Sequence, residues 1–162
     1  MWDHSHLRKW LVTETLPLWL DKGCDRRDGG FHEKLNFHLT PITDEGKRVM
    51  VQARQSYVFA VFAGELPEAS NAAASGFDFV LSHGAHPEGG WRHRVARDGS
   101  PQDDSRDLYD QAFVLFAAAW MHAAFGREDA LSAANETLEY LDARRAHPSG
   151  GYSENILPCG SL

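Results

Sequence analysis

The sequence predicts an all-α protein built from repeated helical hairpins, with short β-hairpins gathered at one end. Three observations carry that prediction. A Gly-Gly-aromatic tripeptide occurs three times, as Gly29-Gly30-Phe31, Gly89-Gly90-Trp91 and Gly150-Gly151-Tyr152, at offsets of 60 and 61 residues. Five segments carry helical patterning and alternate between one-sided and all-round apolar character. Each tripeptide follows a one-sided segment, and the first two precede an all-round apolar one.

The first helix is expected over residues 4–22, with Leu7, Leu11 and Leu18 at helical spacing and Asp3 as N-cap. Pro17 disfavours helix at Leu16, so a kink or break is expected there, and Gly23 supplies a stop. The second helix, over residues 47–63, ends at Gly64. The third, over residues 68–82, puts Ala69, Ala73, Gly76, Phe77 and Val80 on one face. The fourth spans residues 105–125 and stops at Gly126. The fifth spans residues 128–146, with a stripe of Leu131, Ala134, Leu138 and Leu141, and Pro148 lies just beyond. Helices two and four are apolar nearly all round and should be buried by neighbours, whereas one, three and five are one-sided and should lie outside. Between an outer and an inner helix comes a short extended piece with a turn. Asp98-Gly99 marks the second of these as a hairpin. Units of this kind form arrays or closed toroids.

Residues 1–162 read as a single domain, long enough for a real core. The net charge of −7 argues against nucleic acid as a main partner, because phosphate binding needs concentrated Lys and Arg. The longest apolar stretch, residues 112–125, is interrupted by His122 and too short to span a bilayer, so no membrane partner is expected. Cys24 and Cys159 form no metal spacing and no disulfide framework. With no signal-peptide pattern at the N-terminus, they suit a reducing, cytoplasmic setting.

Arg54 shares its helical face with Met50, Val51, Tyr57, Val58 and Val61. A guanidinium on such a face is either paired structurally or turned towards a cavity, where it holds an oxygen of a polar substrate. Tyr109 shares a face with Ala112, Phe113, Phe116 and Trp120, as core or as a site residue. Both lie early in inner helices, so parallel inner helices would put them at one mouth, with the aromatics of the glycine hairpins around it. Ring faces with a few placed polar groups suit a sugar. The close pairs His4/His6 and His83/His86 read as exposed loop histidines rather than metal ligands. His32 and His93 follow the first two tripeptides and face either the mouth or the hairpin surface. The run Asp103, Asp104, Asp107 and Asp110 reads as N-capping and dipole compensation at the start of helix four. Glu33 and Glu154 are better spaced as a hydrolytic carboxylate pair.

Taken together, "GGFHEKL", "VQARQSYVFA", "GGW…DGSPQDDSRDLYDQAFVLFAAA" and "GGYSEN", in this order and spacing, resemble the N-acylglucosamine 2-epimerase family over nearly the whole chain. The family includes mannose isomerases and cellobiose 2-epimerases. The resemblance implies part of an (α/α)6 toroid. It implies proton transfer at C2 of a ring-opened aldose, such as mannose or an N-acylglucosamine, through an enediolate. It places a catalytic, oxygen-stabilising Arg on Arg54 and a substrate-binding Tyr on Tyr109, and implies no cofactor and no metal. Family members are roughly twice this length or more, and their acid–base histidine motifs have no match here. The expectation is therefore a truncated N-terminal portion, inactive alone and prone to self-association through its inner helices. Two other readings stand: a noncatalytic carbohydrate-binding or interaction remnant, and a toroidal glycoside hydrolase using Glu33 or the Asp103 cluster.

Overall fold

The structure is a computed structural model that describes residues 3–154. The first helix, α1, covers residues 4–23 in four consecutive stretches. His4–Trp10 and Leu16–Leu18 are α-helical, while Leu11–Thr15 and Trp19–Gly23 are π-helical. Asp3 caps its start, accepting from the His6 N–H at 3.0 Å. The break expected at Pro17 does not occur. The chain instead widens into a π turn ahead of the proline, where the Leu16 N–H reaches back to the Leu11 carbonyl. A wider turn relieves the clash of the proline ring with the preceding turn and lets the helix continue.

A two-residue strand β1 (Lys47–Arg48) leads directly into α2 (Val49–Val61). Then come α3 (Pro67–Phe79, prolonged by a π turn at Val80–Gly84), β2 (Arg94–Val95), β3 (Pro101–Asp103), α4 (Leu108–Phe125) and α5 (Glu128–Arg144). α2 starts later than the pattern predicts because residues 47–48 are taken by the sheet, and α4 starts only at Leu108, past Ser105, whose carbonyl accepts from the His93 N–H. The three strands are antiparallel in the order β1-β2-β3, pairing Lys47 with Val95 and Arg94 with Asp103. Asp98-Gly99 makes the predicted β2–β3 turn, with Gly99 at φ 89°. Since β1 runs into α2, and β3 is followed closely by α4, the sheet sits at the N-terminal ends of the inner helices.

Alternation of layers is as expected. α2 and α4 lie side by side, α3 packs on α2, and α5 packs on α4. The core combines Phe59 and Ala60 of α2, Ala69, Ala73 and Phe77 of α3, and Val114, Ala117 and Met121 of α4. The predicted stripe of α5 is corrected. Leu131 and Leu138 are exposed, and the buried face is Ala130, Ala133, Ala134, Thr137, Tyr140 and Leu141. Small residues let the outer helix approach the inner one closely, which longer leucines at those positions would prevent. Leu7 of α1 is likewise exposed. No helix among the described residues is long and apolar enough to cross a membrane.

The three Gly-Gly-aromatic segments fold into one motif. In each, the last residues of an outer helix bridge to the aromatic: Cys24 to Phe31, Ala85 to Trp91, Ala146 to Tyr152. The N–H of Asp25, His86 or His147 donates to the carbonyl of the second glycine at 2.9 Å in every copy. In the first two copies a buried glutamine of the next inner helix reads the aromatic's backbone from both sides. Gln52 Oε1 accepts from the Phe31 N–H at 2.7 Å and its Nε2 donates to the Phe31 carbonyl at 3.0 Å. Gln111 does the same to Trp91, at 2.8 Å each. This close approach is why the second glycine must be glycine. Gly30 (φ 65°) and Gly90 (φ 75°) need the left-handed region, and a Cβ would meet Gln52 Oε1 at 2.5 Å and Gln111 Oε1 at 2.9 Å.

Two further features repeat. Lys47 donates to the Gly29 carbonyl at 2.6 Å and lies 4.5 Å from the Phe79 ring centroid; Arg106 donates to the Gly89 carbonyl at 3.1 Å and lies 5.6 Å from that of Tyr140. Phe79 and Tyr140 come from the following outer helix, so each turn rests on the next hairpin along.

Removing one glutamine should therefore uncouple a turn from its helix. Gln111→Ala strips two hydrogen bonds and leaves a buried N–H and carbonyl without partners, a loss of about 2–4 kcal/mol. Urea denaturation of the variant against wild type measures it; a loss under half a kilocalorie would show that water or a shift of the turn replaces the amide.

Candidate functional site

Arg54 projects from α2 on the open side of the inner layer and is exposed. Its guanidinium carbon stands 5.0 Å from the Phe113 ring centroid, and among the described residues it forms no ion pair. Of the two sequence readings, the structural pair is thus not observed. Tyr109, in the first turn of α4, is 52% exposed and meets the same Phe113 ring edge-on at 4.9 Å. The structure accordingly brings the two predicted site residues together, on one ring that neither was chosen for. The aromatic surface continues along the inner helices, Tyr57 edge-on to Phe116 at 4.8 Å and Phe116 to Trp120 at 6.5 Å. Beside Arg54 opens a cleft of about 520 Å³, lined by Glu33, Asn36, Val51, Gln55, Tyr57 and Trp19 among others.

The aromatics of the glycine turns do not face this cleft. Phe31 is 1% exposed and stacks on Phe59, and Trp91 is 5% exposed with its indole N–H donating to Thr137 Oγ1 at 2.8 Å. Phe31 and Trp91 close over the core, because the glutamine clamp turns their side chains inward, whereas Tyr152 is 40% exposed with its hydroxyl on Asp142. The rings that line the open side come instead from the helices themselves.

The carboxylates separate by partner. Glu33 accepts from the Arg48 N–H at 3.0 Å and pairs with its guanidinium, so its charge is already neutralised. The Glu33 side chain is only 6% exposed in that pairing. Glu154 meets the start of α4 through its backbone, accepting from the Leu108 N–H at 3.0 Å. The capping reading of the aspartate run is corrected. Asp107 takes the N-cap position without a side-chain capping bond, Asp104 pairs with Arg92 at 2.6 Å, and Asp103 accepts from the Ser105 N–H at 2.9 Å. Asp110 is 1% exposed and binds His93 Nδ1 at 2.9 Å. Burial pushes its carboxyl up to about 6, against the opposing pull of His93.

The histidines also sort out. His4 and His6 are exposed on α1, with His6 on the Asp3 cap. His83 and His86, expected as exposed loop residues, are half-buried, His83 against the Phe79 ring. Neither pair belongs to a metal-sized group among the described residues. His32 faces neither the mouth nor the surface. It is buried at 8% exposure beside Asp25, which also binds Lys47 at 3.1 Å and Arg97 at 3.0 Å. Burial lowers the His32 pKa, and Arg97 and Lys47 reinforce this against Asp25 and Asp28. Burial alone would raise Asp25, but its bonds to Arg97, the backbone and Lys47 outweigh that and hold it well below the usual carboxylate range. Cys24 is half-buried and reduced, whereas Cys159 lies outside the described residues. Sequence reasoning missed Gln52 and Gln111, although their 59-residue offset matches the repeat and was the signal available.

Alternating inner and outer helices joined by glycine turns, with an exposed arginine and a run of rings along the inner helices, define a protein of the helical-hairpin class. The comparisons narrow this. Residues 29–158 match N-acylglucosamine 2-epimerase (GlcNAc 2-epimerase), and the chain belongs to that family. It is 34% identical to a mannose-6-phosphate isomerase of Rhizobium meliloti (strain 1021), over 97% of this chain and 42% of that protein. It is 25% identical to a cellobiose 2-epimerase of Bacteroides fragilis, over 78% of this chain and 33% of that one. The structure of cellobiose 2-epimerase from Spirochaeta thermophila DSM 6192 superposes with a TM-score of 0.88 at 29% identity, covering 98% of this chain and 40% of the other. The chain thus spans about two-fifths of the length of these relatives.

The His32 cluster gives a test in acid. The folded state resists protonating His32, so this residue costs stability as pH falls below about 6.5, where the unfolded chain takes up the proton freely. Wild type should lose stability relative to His32→Gln between pH 7 and 5, read by thermal melts across that range. A constant difference would mean that His32 titrates in the folded protein as it does unfolded.

Proposed function

We propose that this chain forms the N-terminal portion of an (α/α)6 barrel and supplies one side of a sugar isomerase or 2-epimerase site, acting on a free aldose such as mannose or an N-acylglucosamine. The observation that supports this best is Arg54, a guanidinium without an ion pair among the described residues, set beside exposed Tyr109 over Phe113. Removing the C2 proton of an open-chain aldose moves negative charge onto the adjacent carbonyl oxygen. A fixed cation that meets that oxygen stabilises the enediolate more than the neutral sugar, and so lowers the barrier. Tyr109 offers a hydroxyl to a sugar hydroxyl, and the neighbouring rings offer apolar faces to the C–H side of the sugar.

The proton itself must be carried by an acid and a base. In this reading they come from the part of the fold that the match does not span. His93 is the histidine of this chain nearest the start of α4, and its ring is engaged by Asp110. The 162 residues alone are then a binding surface without turnover. Their inner helices expose Phe116 and Tyr109 at 47% and 52%, an apolar face that favours self-association.

Incubation with mannose or mannose 6-phosphate in heavy water, followed by NMR, should show no exchange at C1 or C2 for the 162-residue chain. Turnover by this chain would place the acid and base within it. In a version that spans the full barrel, Arg54→Ala should lower kcat by about 10²-fold with a smaller change in KM, and an unchanged rate would remove Arg54 from the site. Sedimentation velocity should show a concentration-dependent rise in size that Phe116→Lys reduces; a monodisperse monomer would overturn the association.

A further inference from the structure

We propose that His93, Asp107 and Asp110 bind a divalent first-row cation, of the Zn²⁺ or Mn²⁺ kind, at the junction between the β2–β3 hairpin and the start of α4. One donor atom from each residue lies within 4.8 Å of the others. His93 Nδ1 stands 2.9 Å from Asp110 Oδ2 and 3.6 Å from Asp107 Oδ2. Neighbouring ligands around an ion with bonds of about 2.1 Å are about 3.0 Å apart in an octahedron and about 3.4 Å apart in a tetrahedron. The His93–Asp110 and His93–Asp107 spacings stand close to these values.

A second observation points to a ligand rather than to a plain ion pair. Asp110 is 1% exposed, and its second oxygen, Oδ1, is shut off from solvent with no well-formed hydrogen bond among the described residues, although the Met50 N–H also acts on this carboxylate. A buried carboxylate oxygen without a well-placed donor is costly, and a single histidine here faces two carboxylates. A divalent cation balances both carboxylates and can take Asp110 through either oxygen. One imidazole nitrogen with carboxylate oxygens is a donor set suited to first-row ions of intermediate hardness.

The site is held from both sides. The His93 N–H donates to the Ser105 carbonyl at 2.7 Å, and its own carbonyl accepts from the Val49 N–H at 3.0 Å. Asp110 is fixed by the first turn of α4. The His93 and Asp107 side chains keep 27% and 37% of their surface open to solvent, which gives the ion a way in and leaves water its remaining positions. On binding, the proton between His93 Nδ1 and Asp110 is given up, to solvent or to Nε2 of the same ring, and the Nδ1 lone pair turns to the metal. Bound there, the ion ties the hairpin to the inner helix next to Tyr109. The inference does not depend on the sugar reading, and neither fails with the other.

The test is titration of the full chain, stripped with chelator, with Zn²⁺, Mn²⁺ and Co²⁺ by calorimetry, and by visible absorbance for Co²⁺. One ion should bind per chain and raise the melting temperature. His93→Gln and Asp107→Asn should each weaken binding at least tenfold, and His4→Gln/His6→Gln should leave it unchanged. Asparagine is as good an N-cap as aspartate, so Asp107→Asn keeps the helix start and decides the matter even where Asp110→Asn does not fold. No binding at millimolar metal, or binding unaltered by His93→Gln and Asp107→Asn, would overturn the proposal.

Discussion

The amide of Gln52, and of Gln111 in the next repeat, is the interaction on which the rest of the structure depends. It closes both backbone groups of the turn aromatic onto an inner helix, in a place where water does not reach. A buried peptide group must be paired, and a turn leaving a helix has no ladder of its own to pair with. The glutamine solves this by acting as a short length of partner strand. Once it is placed, other features follow from geometry. The aromatic side chain points into the core, the second glycine can carry no Cβ, and the outer helix must end where the turn begins.

The same clamp makes the structure propagate. Phe79 lies against the first glycine turn and Tyr140 against the second, each contributed by the outer helix one hairpin further on. Lys47 and Arg106 fasten the arrangement from the inner side, each between a glycine carbonyl and that ring. A unit of the array is thus completed by its successor. The third turn shows what the rule predicts. Gly150 and Gly151 keep the backbone bonds of the motif, but among the described residues nothing lies within 4 Å of where their Cβ atoms would be, and Tyr152 is 40% exposed.

Much of this was legible in the sequence, and what was not has physical causes. The helices and their order follow from apolar periodicity, and the turns follow from glycines that only a left-handed backbone explains. Pro17 misled because a proline cost can be absorbed by a π turn, whose wider spacing leaves no mark on composition. Leu131 and Leu138 misled because a close helix contact selects alanine over leucine, the reverse of a hydrophobicity ranking. At the site, the shared face of Arg54 with Tyr57 and of Tyr109 with Phe113 was readable from helical wheels. The ring that joins them was not, since a contact between two helices has no signature in either one.

Comparing the repeats with each other separates scaffold from site. The positions that clamp the glycine turns, 59 to 61 residues apart, keep their chemistry: glutamine for glutamine at 52 and 111, cation for cation at 47 and 106, aromatic for aromatic at 79 and 140. On the open face the equivalence breaks. Arg54 corresponds to Phe113 and Met50 to Tyr109, so the guanidinium lies over its own counterpart in the next repeat. A small asymmetric ligand presents different groups to each helix that it touches. In the sugar-site reading proposed above, the break in repetition at Arg54 and Tyr109, rather than either residue by itself, is the feature that supports this face.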